Sequence, residues 1–218
     1  MRPEPLVLPA PGPRKEALIG LVPPCALAAE IGADHGIISA FLLSQGICGR
    51  MVVSDISAAS LQKARRLFAP RGLETRADFR VADGLLALDA PVEAIIIAGM
   101  GEKTIKEILR KGMDRLHGAA LVLQSNTGVP GLRRWLAANG FRIDAERVVK
   151  EGRRYYIAMR AVEGRAVYSE KELCLGPCLL GERPPLLREY LAWRRGCLLR
   201  ARGGDQPAVK WLEEEMDK

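Results

Sequence analysis

The sequence alternates short, almost continuously apolar runs with segments of helical periodicity. The runs ALAAEI, RMVVSD, VEAIIIAG and AALVLQS are each followed by a stretch in which polar and charged residues recur at helical spacing. Strands that are apolar on both faces are typical of parallel sheets covered by helices on both sides. We therefore predict an α/β fold built on a buried, mostly parallel sheet.

The predicted elements end in a hairpin. Helices are expected over residues 14–22, 37–45, 58–68 and 102–111 and from Pro130, and a further strand is expected at DFRVAD. Two longer alternating segments, FRIDAERVVKEG and RRYYIAMRAV, are separated by only a few residues, which predicts an antiparallel pair. Five strand–helix units followed by such a hairpin are typical of the seven-stranded, Rossmann-like sheet of class I methyltransferases.

Beyond Gly164 the composition changes. Leucine and aromatic residues recur at helical spacing over residues 186–199, and a second helix is expected over 208–216, with Gly203 and Gly204 in the turn between them. We predict three parts: a flexible proline-rich leader over residues 1–12, a main α/β domain over 13–163 and a small C-terminal α-helical hairpin domain over 164–218.

Net charge indicates the kind of partner, and cysteine content indicates the state of the thiols. A net charge of +7 and an isoelectric point near 9.4 favour a polyanionic partner such as nucleic acid. Five cysteines without a paired zinc-ligand spacing, together with only two histidines, predict reduced thiols and no metal site. No apolar run reaches the length of a signal peptide core or a membrane span, so we expect a cytoplasmic protein.

The stretch AEIGADHGII resembles a nucleotide-binding glycine loop that carries extra side chains. In open α/β sheets, a strand with an acidic residue near its end, a glycine turn and a helix N-terminus hold nucleotide-like ligands. The candidate ligand-binding residues of this loop are Glu30, Gly32, Asp34, His35 and Gly36. Carboxylates here oppose a pyrophosphate but complement a cationic ligand. Alternatively, Asp34 tolerates the tight turn and His35 bonds nearby backbone.

Acidic residues also end the next two strands. Asp55, followed by Ile56, lies 19 residues after Gly36, where a carboxylate can accept the hydroxyls of an adenosine ribose. Asp83, followed by Gly84, ends the third strand, where an acceptor can meet the adenine amino group. The alternative is that both aspartates serve as helix caps or turn residues. Together with the loop, they predict S-adenosylmethionine as the ligand.

Five motifs extend this pattern into a family resemblance. AEIGADHGII, VVSDIS, VADGLLAL, IIIAGMGE and LVLQSNTGVPGLRRWLAANGF, followed by EGRRYYIAM, resemble the bacterial transfer-RNA adenine-22 N1-methyltransferase family in order and spacing. The likeness covers about residues 14 to 162. It implies a Rossmann-like catalytic domain, S-adenosylmethionine as methyl donor, a C-terminal helical domain that helps bind tRNA, and methylation of adenine N1.

The resemblance also assigns roles residue by residue. Glu30, Gly32, Asp34 and His35 match the first motif, Asp55 the ribose-binding acid and Asp83 the acid that faces adenine. The candidate catalytic residues are Asp34, Gly99, Met100, Gln124 and Asn126, with Gly99 also expected to contact the cofactor. The chain departs from the family pattern at Glu30, where aspartate is usual, and at Glu102 and Ser125, which the resemblance places near the substrate pocket. Its C-terminal part is also shorter.

A tRNA partner requires cationic side chains. The candidates for contact with RNA are Arg133, Arg134, Arg153, Arg154, Arg188, Arg194 and Arg195. The alternative for the C-terminal group is a solvated helix face. We expect a monomer without an obligate protein partner. Two other functions remain open: a methyltransferase of the same fold that acts on another RNA site or a small molecule, and an inactive S-adenosylmethionine- and RNA-binding protein.

Overall fold

A seven-stranded sheet organises the part of the chain that the structure, a computed structural model, describes: residues 7–200 and 206–218. Residues 1–6 of the predicted leader and the predicted turn at Gly203 and Gly204 lie outside it. The strands are β1 Cys25–Ile31, β2 Cys48–Asp55, β3 Ala77–Val81, β4 Ala94–Met100, β5 Ala120–Ser125, β6 Phe141–Glu151 and β7 Arg154–Glu163. The helices are α1 Pro13–Ile19, α2 Ile37–Ser44, α3 Ala58–Phe68, α4 Glu102–Lys111, α5 Val129–Ala138, α6 Glu170–Leu175, α7 Pro177–Glu182, α8 Leu187–Arg200 and α9 Gln206–Met216.

The sheet has the strand order β3-β2-β1-β4-β5-β7-β6. Strands β1 to β5 are parallel, and β7 is antiparallel to both of its neighbours, β5 and β6. The predicted fold class is therefore confirmed, including the closing hairpin. The direction of strand succession reverses between β1 and β4, and in open α/β sheets the carboxyl ends of the strands at such a reversal form a ligand-binding crevice.

Alternating residues of the central strands pack into two hydrophobic cores, one on each face of the sheet. Ala28, Ile96 and Val122 belong to the core that contains residues of α1, α2 and α3. Ile95 and Leu123 belong to the core on the opposite face, under α4 and α5. Because successive side chains point to opposite faces, a strand that is apolar throughout can fill both cores.

Among the described residues, four helices follow the hairpin, where the sequence predicts two. Each of α6 and α7 has only six residues, which is too short for a recognisable apolar period. Helix α6 nevertheless begins with a capping box, in which the Ser169 and Glu172 side chains bond each other's backbone N–H. Leu175, Leu179 and Leu212 share one continuous core with the sheet. The domain boundaries at residues 12 and 163 stay predictions.

A buried ion pair ties this C-terminal part to the sheet domain. Arg133 on α5 and Glu146 on β6 are both fully buried, and the Arg133 Nε and Glu146 Oε1 atoms are 2.7 Å apart. Arg133 also donates to the carbonyl oxygens of Leu173 and Cys174 at the end of α6. The prediction that Arg133 contacts RNA is wrong, because a guanidinium enclosed in this way has no access to a phosphate.

The described residues offer neither a membrane-spanning helix nor a cluster of metal ligands. None of the helices within residues 7–200 and 206–218 combines the length and apolar character that a membrane-spanning segment needs. Within the same ranges, no three His, Cys, Asp or Glu side chains are grouped so that they could hold a metal ion.

Candidate functional site

The glycine loop after β1 is anchored on the end of β2. The backbone N–H groups of Gly32 and Ala33 both donate to the Ser54 carbonyl, at 2.8 and 2.9 Å. Gly32 adopts a φ of +73°, and the Met100 methyl group lies where a side-chain carbon would stand. Asp34 follows at a φ of 48°, which an aspartate tolerates better than most residues. The loop therefore needs glycine at position 32, both for its backbone conformation and for contact with Met100.

Glu30 lies buried beneath this loop. Its Oε2 atom accepts hydrogen bonds from the Ser39 hydroxyl at 2.5 Å and from the Ser39 backbone N–H at 3.0 Å. Burial raises the pKa of Glu30 to about 7, against the lowering effect of these two bonds and of Lys15. The carboxyl group is therefore poised between its neutral and charged forms near neutral pH, and a cationic ligand nearby would favour the charged form.

Asp55 connects the loop to the larger of two cavities. Its Oδ2 accepts from the Asp34 N–H at 3.0 Å and its Oδ1 from the Ser57 N–H at 2.8 Å. Each carboxylate oxygen has a second lone pair, so these bonds orient Asp55 without exhausting it as an acceptor. The predicted cofactor residues Asp55 and Asp83 line the same cleft, as the joint spacing of the motifs requires.

The larger cavity, of about 790 Å³, is a cleft at the carboxyl ends of the parallel strands. Apolar side chains form part of its wall, including Ile56 and Leu86, whose exposed fractions are 74% and 61%. Asp83 is exposed at its rim, with the Lys111 Nζ atom 3.8 Å from its Oδ2. Gly84 and Gly99 also line it. An apolar slot with acceptors at its ends suits a nucleoside.

The smaller cavity, of about 180 Å³, adjoins the first and shares Gly32, Asp34 and Gly99 with it. Two cations, Arg14 and Lys15 of α1, line it together with the buried Glu30; His35 and Gln124 lie at it as well. Arg14 and Lys15 were not predicted, because no motif marks them and their position depends on how α1 packs against α2 and the sheet. A small space with charges of both signs suits an amino-acid end that carries both an ammonium and a carboxylate.

The candidate catalytic residues after β4 and β5 form one hydrogen-bonded network. The Gly99 N–H donates to Gln124 Oε1 at 3.2 Å, and Gln124 Nε2 donates to Asn126 Oδ1 at 3.1 Å. Asn126 Nδ2 in turn donates to the Gly99 carbonyl at 2.6 Å. Gln124 is fully buried, whereas Asn126 is exposed. Gln124 therefore positions the loop, and Asn126 is the member of the network that can meet a substrate.

Gly36, predicted to contact the cofactor, lies at the N-cap of α2. It is buried and lines neither cavity of the described structure. A side-chain carbon there would stand 3.0 Å from the Ala64 Cβ and 3.2 Å from the Phe68 ring. Gly36 therefore allows α2 to begin close against α3, and its contact with the cofactor stays a prediction.

The two departures from the family pattern near the active-site loop also lie outside the cavities as described. The Glu102 carboxylate pairs with Lys106 at 2.6 Å. It also lies where a side-chain carbon on Gly128 or Gly131, at the start of α5, would stand. Ser125 is buried and donates to the Thr127 carbonyl at 2.6 Å. Both therefore support the loops around the site from behind rather than line it.

Most of the predicted RNA-binding arginines of the C-terminal part are engaged within the protein. Arg195 pairs with Glu213 at 2.6 Å, and Arg134 on α5 pairs with Glu170 at 2.5 Å. The Arg194 Nη2 atom lies 3.9 Å from the Cys174 sulfur, and its Nε is buried without a hydrogen-bond partner. Arg194 is only partly exposed, and its contact with RNA stays a prediction. Arg153, Arg154 and Arg188 are exposed.

Comparison with known proteins accords with this geometry. The methyltransferase domain family matches residues 12–159. The chain is 28% identical over 153 residues to tRNA (adenine(22)-N(1))-methyltransferase of Bacillus subtilis, an alignment that covers 69% of this chain but 64% of the relative. It is 33% identical over 171 residues to a putative tRNA methyltransferase of Mycoplasma pneumoniae, covering 74% of this chain and 77% of that one.

Among solved structures, a putative tRNA (m1A22) methyltransferase of Streptococcus pneumoniae in complex with S-adenosyl-L-methionine superposes with a TM-score of 0.86 at 26% identity. The superposition covers 93% of this chain and 98% of that one. The strand order, the cleft at its reversal point and these relatives all agree with the resemblance seen in the sequence. The chain therefore belongs to the methyltransferase domain family.

Proposed function

We propose that this protein transfers a methyl group from S-adenosylmethionine to N1 of an adenine in tRNA, at the position corresponding to A22. The proposal rests on two cavities that adjoin each other. One is an apolar, nucleoside-sized cleft with Asp55 and Asp83, and the other is a small charged pocket with Glu30, Arg14 and Lys15. A dinucleotide pyrophosphate would meet Glu30 and Asp34 instead of a cation.

The residues present fit the methyl donor. Asp55 would hold the ribose hydroxyls, Ile56 and Leu86 would cover the adenine, and Asp83 would accept from its amino group. In the smaller pocket Arg14 and Lys15 would hold the carboxylate, and Glu30 the ammonium. When bound there, S-adenosylmethionine supplies a methyl group activated by the sulfonium. The relative from Streptococcus pneumoniae that binds this molecule supports the assignment.

The protein's part in the reaction is to position the target base. Adenine N1 carries a lone pair at neutral pH, so no general base is required and correct alignment supplies most of the rate enhancement. The hydrogen-bonded network of Gly99, Gln124 and Asn126 holds the loop that faces the cleft. Methylated adenine is cationic, so oxygen acceptors such as the Gly99 carbonyl and the exposed Asn126 amide would stabilise the developing charge.

The substrate assignment is supported by the tRNA methyltransferases to which this chain is similar. The proposal extends to a cytoplasmic location, where tRNA is modified, and to a monomer. A nucleotide stacked or paired in folded tRNA must be exposed before its N1 can react, at a cost of a few kcal/mol that contacts to the RNA backbone must offset.

The test is transfer of a labelled methyl group from the donor to unmodified tRNA, followed by digestion to nucleosides. We expect labelled N1-methyladenosine, and we expect it to disappear when the adenosine corresponding to A22 is replaced by guanosine. Another labelled nucleoside, or label in a small molecule with none in tRNA, would refute the proposed substrate. Tight binding of donor and tRNA without transfer would refute the proposed activity.

A further inference from the structure

The distribution of unpaired cations identifies where RNA can approach the candidate site. Helices α6 to α9 are rich in arginine and lysine, and several of these cations pair with carboxylates of the same region. Arg183 pairs with Glu215 at 2.9 Å and Arg195 with Glu213 at 2.6 Å. Lys171 contacts Glu214 and Glu215, at 2.8 and 2.9 Å. A cation already neutralised in this way gains less from a phosphate.

The turn of the β6–β7 hairpin is different. Arg153 in the turn and Arg154 at the start of β7 are exposed. Within the described residues, neither lies within ion-pair distance of a carboxylate. Two adjacent, unpaired guanidinium groups on a tight turn are accessible to a polyanion from several directions.

Sheet topology places this turn next to the candidate site. Strand β7 is antiparallel to β5, with Ala158 opposite Gln124. The first residues of β7 therefore extend past the carboxyl end of β5, to the edge of the sheet where Asn126 lies. The Arg14 side chain bridges the gap: its Nη1 is 3.4 Å from Asn126 Oδ1, and its Nε is 3.8 Å from Glu151 Oε2 at the end of β6.

The start of α8 joins the same surface. Lys150 of β6 pairs with Glu189 at 2.9 Å, and the rings of Tyr155 and Tyr190 lie 6.2 Å apart. These contacts hold the first turn of α8 against the hairpin next to its tip. Arg188, which precedes Glu189, is exposed and makes no ion pair with the described residues. Arg153, Arg154 and Arg188 are therefore grouped as the tip surface.

We propose that the tip surface binds the phosphate backbone of the RNA that flanks the target nucleotide. The inference rests on the proposed function, because it takes tRNA as the partner. It moves the expected RNA contact from the C-terminal helices in general to the hairpin turn and the first turn of α8. The tip lies beside Asn126, so a strand bound there could deliver an exposed base to the cleft over a short distance.

The test compares two double variants of the full chain that lose the same charge. Arg153→Ala with Arg154→Ala removes the hairpin part of the tip surface. Lys63→Ala with Arg66→Ala is the matched control, since both residues are exposed on α3, which packs on β2 and β3 at the opposite edge of the sheet. Affinity for unmodified tRNA is measured at several salt concentrations, and calorimetry with S-adenosylmethionine verifies that each variant retains its folded cleft.

For the hairpin variant we expect tRNA affinity to fall by roughly tenfold or more at low salt. The slope of log affinity against log salt concentration, which is negative, should become shallower by about two. The control should stay within about twofold of the wild type. Equal losses in the two variants would show that only net charge matters and would overturn the proposal. Unchanged affinity in the hairpin variant would overturn it as well.

The outcomes separate this inference from the proposed function. Methyl transfer to adenine N1 combined with tRNA binding that is independent of Arg153 and Arg154 would refute the tip surface and leave the proposed function standing. Tip-dependent tRNA binding without methyl transfer would refute the activity and support the surface. If the wild type did not bind tRNA, both would be refuted.

Discussion

Removal of the Glu146 carboxylate should destabilise the protein more than loss of any surface ion pair. Glu146 accepts a hydrogen bond from the Arg133 Nε atom at 2.7 Å, and the Arg133 Nη2 atom lies at ion-pair distance, also 2.7 Å, from its Oε1. It also accepts from the backbone N–H groups of Cys178 and Leu179 at the start of α7. In Glu146→Ala, the fully buried Arg133 guanidinium would lose its counter-charge and two helix N–H groups would lose their acceptor. Removing one partner of a buried pair costs about 3–5 kcal/mol.

The assay is urea denaturation monitored by tryptophan fluorescence. Glu182→Ala is the matched control, because Glu182 pairs with Arg147 at 3.0 Å while both side chains are about half exposed. That pair should contribute only about 0–1 kcal/mol. Replacing both buried partners, with Arg133→Met and Glu146→Leu, leaves no unpaired charge, so the double variant should be more stable than Glu146→Ala.

Two results would contradict this reasoning. If Glu146→Ala cost no more than Glu182→Ala, the buried pair would not be what holds α6 and α7 to the sheet domain. If the double variant were as unstable as Glu146→Ala, packing rather than the unpaired charge would explain the loss. The transition should remain cooperative with an unchanged denaturant slope in each variant, since the comparison depends on that slope.

Three further predictions concern the candidate site. Asp55→Ala should weaken binding of S-adenosylmethionine by at least about tenfold, because it removes the predicted ribose acceptor, one bond to the glycine loop and one bond to the start of α3; unchanged affinity by calorimetry would exclude Asp55 from the cofactor site. Affinity for S-adenosylmethionine should rise roughly tenfold between about pH 6 and about pH 8, because Glu30, with a pKa raised to about 7, must lose its proton to pair with an ammonium, and Lys15 and Asp34 are its charged neighbours. Glu30→Gln should abolish this rise, and a variant that kept it would show that another group titrates. Asn126→Ala should lower kcat by roughly tenfold to a hundredfold while leaving donor affinity within about twofold, because Asn126 is the exposed member of the network that can meet the target base; a parallel loss of donor affinity in calorimetry would contradict that role.

Most of the fold could be predicted from local pattern. The near-continuous apolar runs of β1, β4 and β5 and the alternating segments of the hairpin correspond closely to the strands observed. Each run is a strand because its residues fill two cores at once, and that requirement is visible in the sequence. Helices α6 and α7 could not be predicted in this way, since six residues complete fewer than two turns and provide no period.

The candidate site was predictable where residues follow the ends of strands. Asp55, Asp83 and Gly99 lie at one edge because parallel strands bring their carboxyl ends together, and the structure places all three at one cleft. Arg14 was not predictable, because it reaches Asn126 across 112 residues of sequence. The position of a long side chain over such a separation depends on how α1 packs against the sheet.

The two arginines of the segment RRWL in α5 show the same difference between what local pattern predicts and what tertiary contacts determine. The local pattern predicts that Arg133 and Arg134 are helical, and the composition shows that the chain carries excess positive charge. It does not show that Arg133 turns inward to Glu146 while Arg134 remains at the surface, because that depends on how α5 packs against β6. Secondary structure follows from short-range periodicity and burial. Which cations remain available for RNA depends on partners that β6 and the C-terminal helices supply only after the chain has folded.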